Sequence, residues 1–176
     1  MWGMSVPELI GQALGVVAVI LGFINYQMKS QKGILAILFA TAIVFCGHYL
    51  LLGLYPAFAL NFVAIFRCIV YYYRDKKIFS GWYIPLILAG IMAVMGAISW
   101  QGPMSLLVIF GIGINTIAIS SPNAQLVRAS ILISSPMVLI YNIWGHSVGG
   151  SIYESIVIIS SIIGLIKYRN KSENKQ

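Results

Sequence analysis

Residues Ile140–Glu154 read Ile-Tyr-Asn-Ile-Trp-Gly-His-Ser-Val-Gly-Gly-Ser-Ile-Tyr-Glu, a turn set between two apolar runs. Glu154 is the only acid of the last hundred residues that lies outside the C-terminal tail. An earlier stretch, Gly47–Asn61, reads Gly-His-Tyr-Leu-Leu-Leu-Gly-Leu-Tyr-Pro-Ala-Phe-Ala-Leu-Asn and has a similar layout. Tyr49 and Gly53 align with Tyr141 and Gly145, 92 positions later, and after one extra glycine Asn61 falls opposite Glu154. The correspondence predicts one three-helix unit used twice, with the chemistry where the two copies face each other.

Composition fixes the solvent of the fold. The chain has 176 residues, 60% hydrophobic and 9% charged. Soluble domains carry about 25% charged residues, so this surface cannot be covered against water. The apolar residues come in blocks of roughly twenty, the length that crosses a hydrocarbon core of ~30 Å. An integral membrane protein, with the lipid bilayer as its first partner, follows. The net charge of +7 is what basic helix ends produce under the positive-inside rule, and it indicates no nucleic acid. Cys46 and Cys68 fall inside apolar blocks, without metal-ligand spacing or a disulfide framework. Met1–Glu8 has no basic n-region, so the first apolar block reads as a span rather than a cleaved signal.

Seven spans are predicted: Leu9–Met28, Ile34–Leu52, Ala57–Tyr73, Trp82–Trp100, Ser105–Ser120, Leu126–Trp144 and Ser151–Tyr168. The stop after the fifth is Ser121-Pro122-Asn123. Alternate loops carry Lys29 and Lys32, then Arg74, Lys76 and Lys77, then Arg128, then Lys167, Arg169, Lys171 and Lys175, which is ten of the eleven basic residues. The other loops carry none, so the N-terminus is expected outside and the C-terminus in the cytoplasm. The fold class is all-α: seven transmembrane helices arranged 3+1+3. Residues 9–77 form a first triple-helix unit, 82–100 an inversion helix, 104–169 a second unit and 170–176 a cytoplasmic tail. The lone fourth helix would make the two units parallel repeats about an axis along the membrane normal, the alternative being seven spans without symmetry.

The motif residues resemble a known family. Gly47-His48-Tyr49, Leu52 to Ala57, the intramembrane Arg67 and Tyr141-Asn142-Ile143-Trp144 through Ser147-Val148-Gly149-Gly150 to Glu154 are similar to the YgjV-like bacterial inner-membrane proteins. The similarity runs from about Leu9 to Lys171 and implies a bacterial inner-membrane location. More distantly, the 3+1+3 layout resembles the SWEET sugar facilitators and PQ-loop transporters. That resemblance implies that Asn61 corresponds to a substrate-contacting asparagine of the third span. The chain departs from it where Tyr26 rather than proline precedes Gln27, and Pro136 is the single proline inside a core span of either triplet, leaving it as the one hinge candidate.

The candidate solute-path residues each have two readings. Arg67 lies about ten residues inside the third span, where a bare guanidinium costs a few kcal/mol; it either faces the bundle or snorkels to the membrane edge. Glu154 fits a capping box begun by Ser151, or stands as an ionisable group in a central cavity. His48, Tyr49, Tyr141 and Asn142 are either cavity lining or interhelical hydrogen bonds. His146 reads as a solvated turn residue and Tyr71–Tyr73 as an interfacial belt. Asn25, Asn115 and Thr116 read as an inner gate or as polar helix ends. Gly11, Gly15, Ala18 and Gly22 on the first span, and Ala89, Ala93 and Ala97 on the fourth, form small-residue stripes for close packing or for a homo-oligomer.

No nucleophile-and-base pair, metal-ligand spacing or phosphate-cradling loop is present, so no enzyme and no cofactor is expected. A facilitator of a small polar or anionic solute, working by alternating access, is the function expected. The alternative is a non-transporting scaffold or accessory subunit, which would have a packed centre instead of a wet one.

Overall fold

The computed structural model describes residues 5–28, 30–121 and 124–173. These form seven α-helices: α1 (Val6–Gln27), α2 (Gln31–Leu51), α3 (Tyr55–Tyr72), α4 (Ile84–Ile98), α5 (Ser105–Ala118), α6 (Ala124–Trp144) and α7 (Val148–Glu173). A single 3-10 turn, Lys77–Phe79, precedes α4. Five helices, α1, α2, α3, α6 and α7, are long and apolar enough to cross a membrane; α4 and α5 are shorter. At 1.5 Å per residue, helices of this shorter kind reach only ~21–23 Å. The expected fourth and fifth spans are trimmed. Trp82 and Tyr83 stand ahead of α4, where Pro85 occupies the first turn, and Gly102 at φ 110° closes the turn into α5. Proline lacks an N–H and suits a helix start, whereas a positive φ favours glycine. Pro122 and Asn123 of the expected stop lie outside the described residues, as do Lys29 and Lys175.

Six helices pack in a ring. α1 lies on α2 and α7, α2 on α3, α3 on α5, α5 on α6, and α6 on α7, while α4 sits outside against α3 and α5. The small-residue stripe of α1 faces this ring. Gly11 meets Leu51 and Leu52, Gly15 meets Gly149, and Gly22 meets the Tyr153 ring. The stripe of α4 faces away instead: α4 buries Pro85, Leu88, Met92 and Gly96, leaving Ala93 and Ala97 exposed.

The basic helix ends gather at one end of the ring. Lys32 at the start of α2 pairs with Asp75 beyond α3 at 2.7 Å. Arg74 donates to the Ser120 carbonyl just beyond α5, and the Arg128 side chain of α6 lies against Gly164 of α7. Asp75 is held below the usual carboxylate range by its hydrogen bond and charge pairing with Lys32. This layer is the basic end of the ring, and the α2–α3 and α6–α7 turns form its far end.

The two far-end turns repeat each other, in a register one residue from that expected. Leu52 N–H donates to His48, Gly53 to Leu50 and Leu54 to Tyr49; Gly145 donates to Tyr141, His146 to Ile143 and Ser147 to Asn142. Each pair of donors, and each pair of acceptors, is 93 positions apart, as are the starts of α2 and α6, their ends, and the starts of α3 and α7. Tyr49 therefore corresponds to Asn142 rather than to Tyr141, and Gly53 to His146 rather than to Gly145. The left-handed backbone confirms the shift, at φ 71° for Gly53 and 52° for His146. Asn61 still falls opposite Glu154.

The expected capping box at Ser151 and Glu154 is not formed. Helix α7 starts earlier, and Ser147 caps it by accepting the Gly150 N–H at 3.2 Å. Ser151 is inside the helix, donating to the Ser147 carbonyl at 2.8 Å, so Glu154 is free of the helix start. A true capping box opens α1, where Ser5 and Glu8 satisfy each other's backbone N–H groups.

Candidate functional site

The ring encloses a cavity of about 780 Å³ whose wall comes from α1, α2, α3, α5, α6 and α7. Its wall runs from Tyr49 and Glu154 inward to Ser121, Arg128 and Lys167 at the basic end. The volume is that of an ordinary small-molecule site. Among the charged side chains of the wall are Arg67, Arg128 and Lys167 against one acid, Glu154. Hydroxyls and amides make up much of the remaining polarity: Thr41 from α2, Asn61 from α3, Asn115 from α5, Ser134 and Ser135 from α6, and Ser160 from α7.

Arg67 faces inward. It is 7% exposed, and its Nη1 donates to Thr116 Oγ1 at 2.8 Å and reaches Asn115 Oδ1 at 3.5 Å. Thr116 can accept because its own hydroxyl points back to the Ile112 carbonyl at 2.8 Å. Among the described residues no carboxylate lies within 4 Å of the guanidinium, the ion pair there being Lys32–Asp75. The snorkelling alternative is thereby set aside: α5 presents a polar notch at the level of Arg67, and Tyr71 continues the seam by donating to the Thr116 carbonyl at 2.8 Å.

Glu154 also lines the cavity, with Ser135 as the hydroxyl facing its carboxylate. Asn61 donates to the Ala57 carbonyl one turn back at 2.9 Å, which turns its amide oxygen free of that bond. Tyr49 touches the inner wall and donates to Asn142 Oδ1 at 3.0 Å. Of the residues singled out from the sequence, Arg67, Glu154, Asn61 and Tyr49 share this wall.

His48, Tyr141 and Asn142 do not share it. All three are fully buried in the layer that closes the far end. The His48 ring spans two helices: Nδ1 lies 2.7 Å from the Gly11 carbonyl and Nε2 lies 2.6 Å from Ser147 Oγ. A carbonyl can only accept, so Nδ1 carries the proton and Nε2 accepts from the serine. Among the described residues Asn142 Nδ2 has no partner within hydrogen-bonding distance. Pro136 lies inside α6, next to Ser134 and Ser135, and lacks the N–H that would bond the Leu132 carbonyl. Asn25 and Asn115 line the cavity toward its basic end, while Thr116 is buried behind Arg67. His146 is exposed, as expected.

Two glutamines that drew no attention in the sequence clamp the far-end turns. Gln12 of α1 donates through Nε2 to the His146 carbonyl at 2.7 Å and accepts the Val148 N–H at 3.1 Å. Gln101 donates to the Gly53 carbonyl at 2.8 Å and accepts the Tyr55 N–H at 3.0 Å. The two clamped carbonyls are 93 positions apart, and so are the two clamped N–H groups. Their only sequence signal is a polar amide beside an apolar run.

Residues 9–172 match the Imp-YgjV family, described as "Bacterial inner membrane protein". The chain belongs to the YgjV family. The "Inner membrane protein YgjV" of Escherichia coli (strain K12) is 22% identical over 159 residues, covering 90% of this chain and 84% of that relative. No solved structure matches. This YgjV-family protein accordingly lies in the bacterial inner membrane and crosses it several times. There a charged side chain is costly in lipid, which accounts for Arg67 turning into the bundle onto Thr116 and Asn115.

Proposed function

We propose that this YgjV-family protein moves a small polar or anionic solute across the inner membrane by alternating access. In this proposal the chain crosses seven times, as two parallel three-helix units, α1–α3 and α5–α7, joined by α4. The basic end lies in the cytoplasm under the positive-inside rule, with the N-terminus outside. Support for the repeat comes from the shared 93-residue register and from reciprocal packing. The first helix of each unit lies on the third helix of the other, as α1 on α7 and α5 on α3. Gln12 and Gln101 add two equivalent clamps across the units. Tyr49 and Asn142, which occupy equivalent positions, bond to each other, as residues near a two-fold axis can.

One observation carries the transport reading: a cavity between the units whose mainly apolar wall carries Arg67, Glu154, Arg128 and Lys167, closed at the far end by the His48–Ser147 and Tyr49–Asn142 contacts. Such a cavity is one half of an access cycle. The other half would separate the far-end layer and expose His48, Tyr141 and Asn142 to the outside. This is the role those residues keep in the proposal. A scaffold or accessory subunit would have no need of the cavity. The test is uptake by liposomes carrying the purified protein, across sugars, amino acids and organic acids. Flux of one class above protein-free liposomes is expected, and it should be lost in Arg67→Leu protein that still inserts normally. No flux of any class would count against transport.

A further inference from the structure

We propose that the cavity binds a small oxyanion at Arg67 together with one proton at Glu154. This rests on the transport reading above and names its solute class. The charge of the wall favours an anion, because among the described residues three basic side chains, Arg67, Arg128 and Lys167, stand against one acid. A wall of net positive charge concentrates oppositely charged solutes. Arg67 supplies the recognition. Both of its described bonds come from Nη1, whereas a guanidinium has five N–H donors in a planar fork that suits carboxylate, phosphate or sulfonate oxygens. Asn115 and Thr116 fix the fork without neutralising it.

Glu154 is the reason for the proton. It shares the cavity with the anion site, and Ser135 facing it is uncharged. The titratable or charged groups around the cavity are Tyr49 from α2, Arg67 from α3, Arg128 from α6, and Tyr153 and Lys167 from its own helix; α1 and α5 present Asn25 and Asn115. Among the described residues no cation lies within 4 Å of the carboxylate. An anion brought into the same low-dielectric space therefore opposes the ionised carboxylate and favours its protonation. By linkage the coupling is reciprocal, so a proton on Glu154 tightens the anion.

The experiment uses the purified full-length protein in detergent, with binding read from intrinsic tryptophan fluorescence. Succinate, inorganic phosphate and isethionate are titrated against the neutral solutes glucose and glycerol. Isethionate keeps its charge between about pH 6 and about pH 8, where the pH series is run. Expected is binding of at least one of the three anions in preference to the neutral pair, with isethionate, where it binds, tightening by up to about tenfold per pH unit as pH falls. Glu154→Gln should retain anion binding and lose the pH dependence, and Arg67→Gln should weaken binding by at least tenfold. Equal binding of neutral solutes, no anion binding, or a pH slope that survives in Glu154→Gln would each overturn the proposal. If Arg67→Gln does not fold, the anion preference and the Glu154→Gln slope still decide it. Titration with phosphatidylglycerol in the same micelles separates a lipid headgroup from a soluble anion; saturation by the lipid alone would overturn a soluble ligand. Anion binding without liposome flux would sink transport and leave the site, whereas flux of neutral solutes alone would sink the site and leave transport.

Discussion

Gly15 of α1 and Gly149 of α7 cross so closely that a Cβ on Gly149 would stand 2.4 Å from the Gly15 Cα, and one on Gly15 would stand 2.8 Å from the Gly149 Cα. No side chain can retreat from that contact, because it is backbone on backbone. The His48 ring closes the third side, 2.9 Å from the same Gly15 position. The far end is thus shut by two helices in direct main-chain contact, a packing mode that small residues permit in membranes. Gly149→Ala forces α1 and α7 apart. A loss of about 1–3 kcal/mol of stability is expected, in the range of other overpacked sites. Thermal unfolding in detergent measures it, and an unchanged midpoint would show that the helices do not meet this closely.

Gln12 and Gln101 give the repeat an energetic test. Each holds one carbonyl and one N–H of a far-end turn, so Gln12→Ala and Gln101→Ala each free two backbone groups. Both side chains lie near the surface, where water replaces part of what is lost. Each substitution is expected to cost about 0.5–1.5 kcal/mol. Because the two clamps sit on different turns and share no partner, the double variant should lose the sum. A large effect from one glutamine and none from the other would remove the case for equivalence.

Much of this architecture was legible in the sequence, and the exceptions have specific causes. Apolar blocks and basic loops located seven helices, because hydropathy and charge act locally along the chain. The turn alignment was one residue out because it matched identical letters, tyrosine with tyrosine and glycine with glycine. The backbone instead matches Gly53 with His146, a non-glycine residue held at positive φ. The Ser151–Glu154 spacing imitated a capping box, yet Ser147 starts the helix earlier, and Gly149 and Gly150 serve close packing inside α7 rather than a turn before it. Arg67 could be noticed but not placed, since its partners come from α5, 48 and 49 residues away. The sequence leaves His48 open as a cavity group because nothing local reveals Gly11 and Ser147 at its two nitrogens.

The Lys32–Asp75 pair is the conspicuous ion pair at the basic end, and it should matter little to stability. Both side chains are largely exposed, at 56% and 73%, so water and salt screen the pair. Asp75 is depressed by Lys32. Any stability it contributes is therefore present above its ordinary carboxylate pKa and is lost as pH falls through the lowered value. Asp75→Asn is expected to leave the melting temperature at neutral pH within experimental scatter and to remove any part of the acid-side decline due to this group. A large drop at neutral pH would mean that the pair is a gate latch held against solvent.

Ser160 tests which face the cavity opens to. It lines the wall on α7 between Glu154 and Lys167, so a cysteine there reports which side of the membrane reaches the cavity. Ala18 on α1 is fully buried and supplies the control. In a background with Cys46 and Cys68 replaced by alanine, Ser160→Cys should react with a membrane-impermeant maleimide in inside-out vesicles. It should stay unlabelled in right-side-out vesicles, where the His48–Ser147 layer and the Gly15–Gly149 crossing stand in the way. Ala18→Cys should stay unlabelled in both. The same cysteine becoming reactive from the outside on addition of a transported solute would follow from alternating access, because the far-end layer must then part. Labelling of Ser160→Cys from the outside alone would reverse the orientation inferred from the basic loops, since it would put the cavity mouth, and Arg128 and Lys167 with it, in the periplasm.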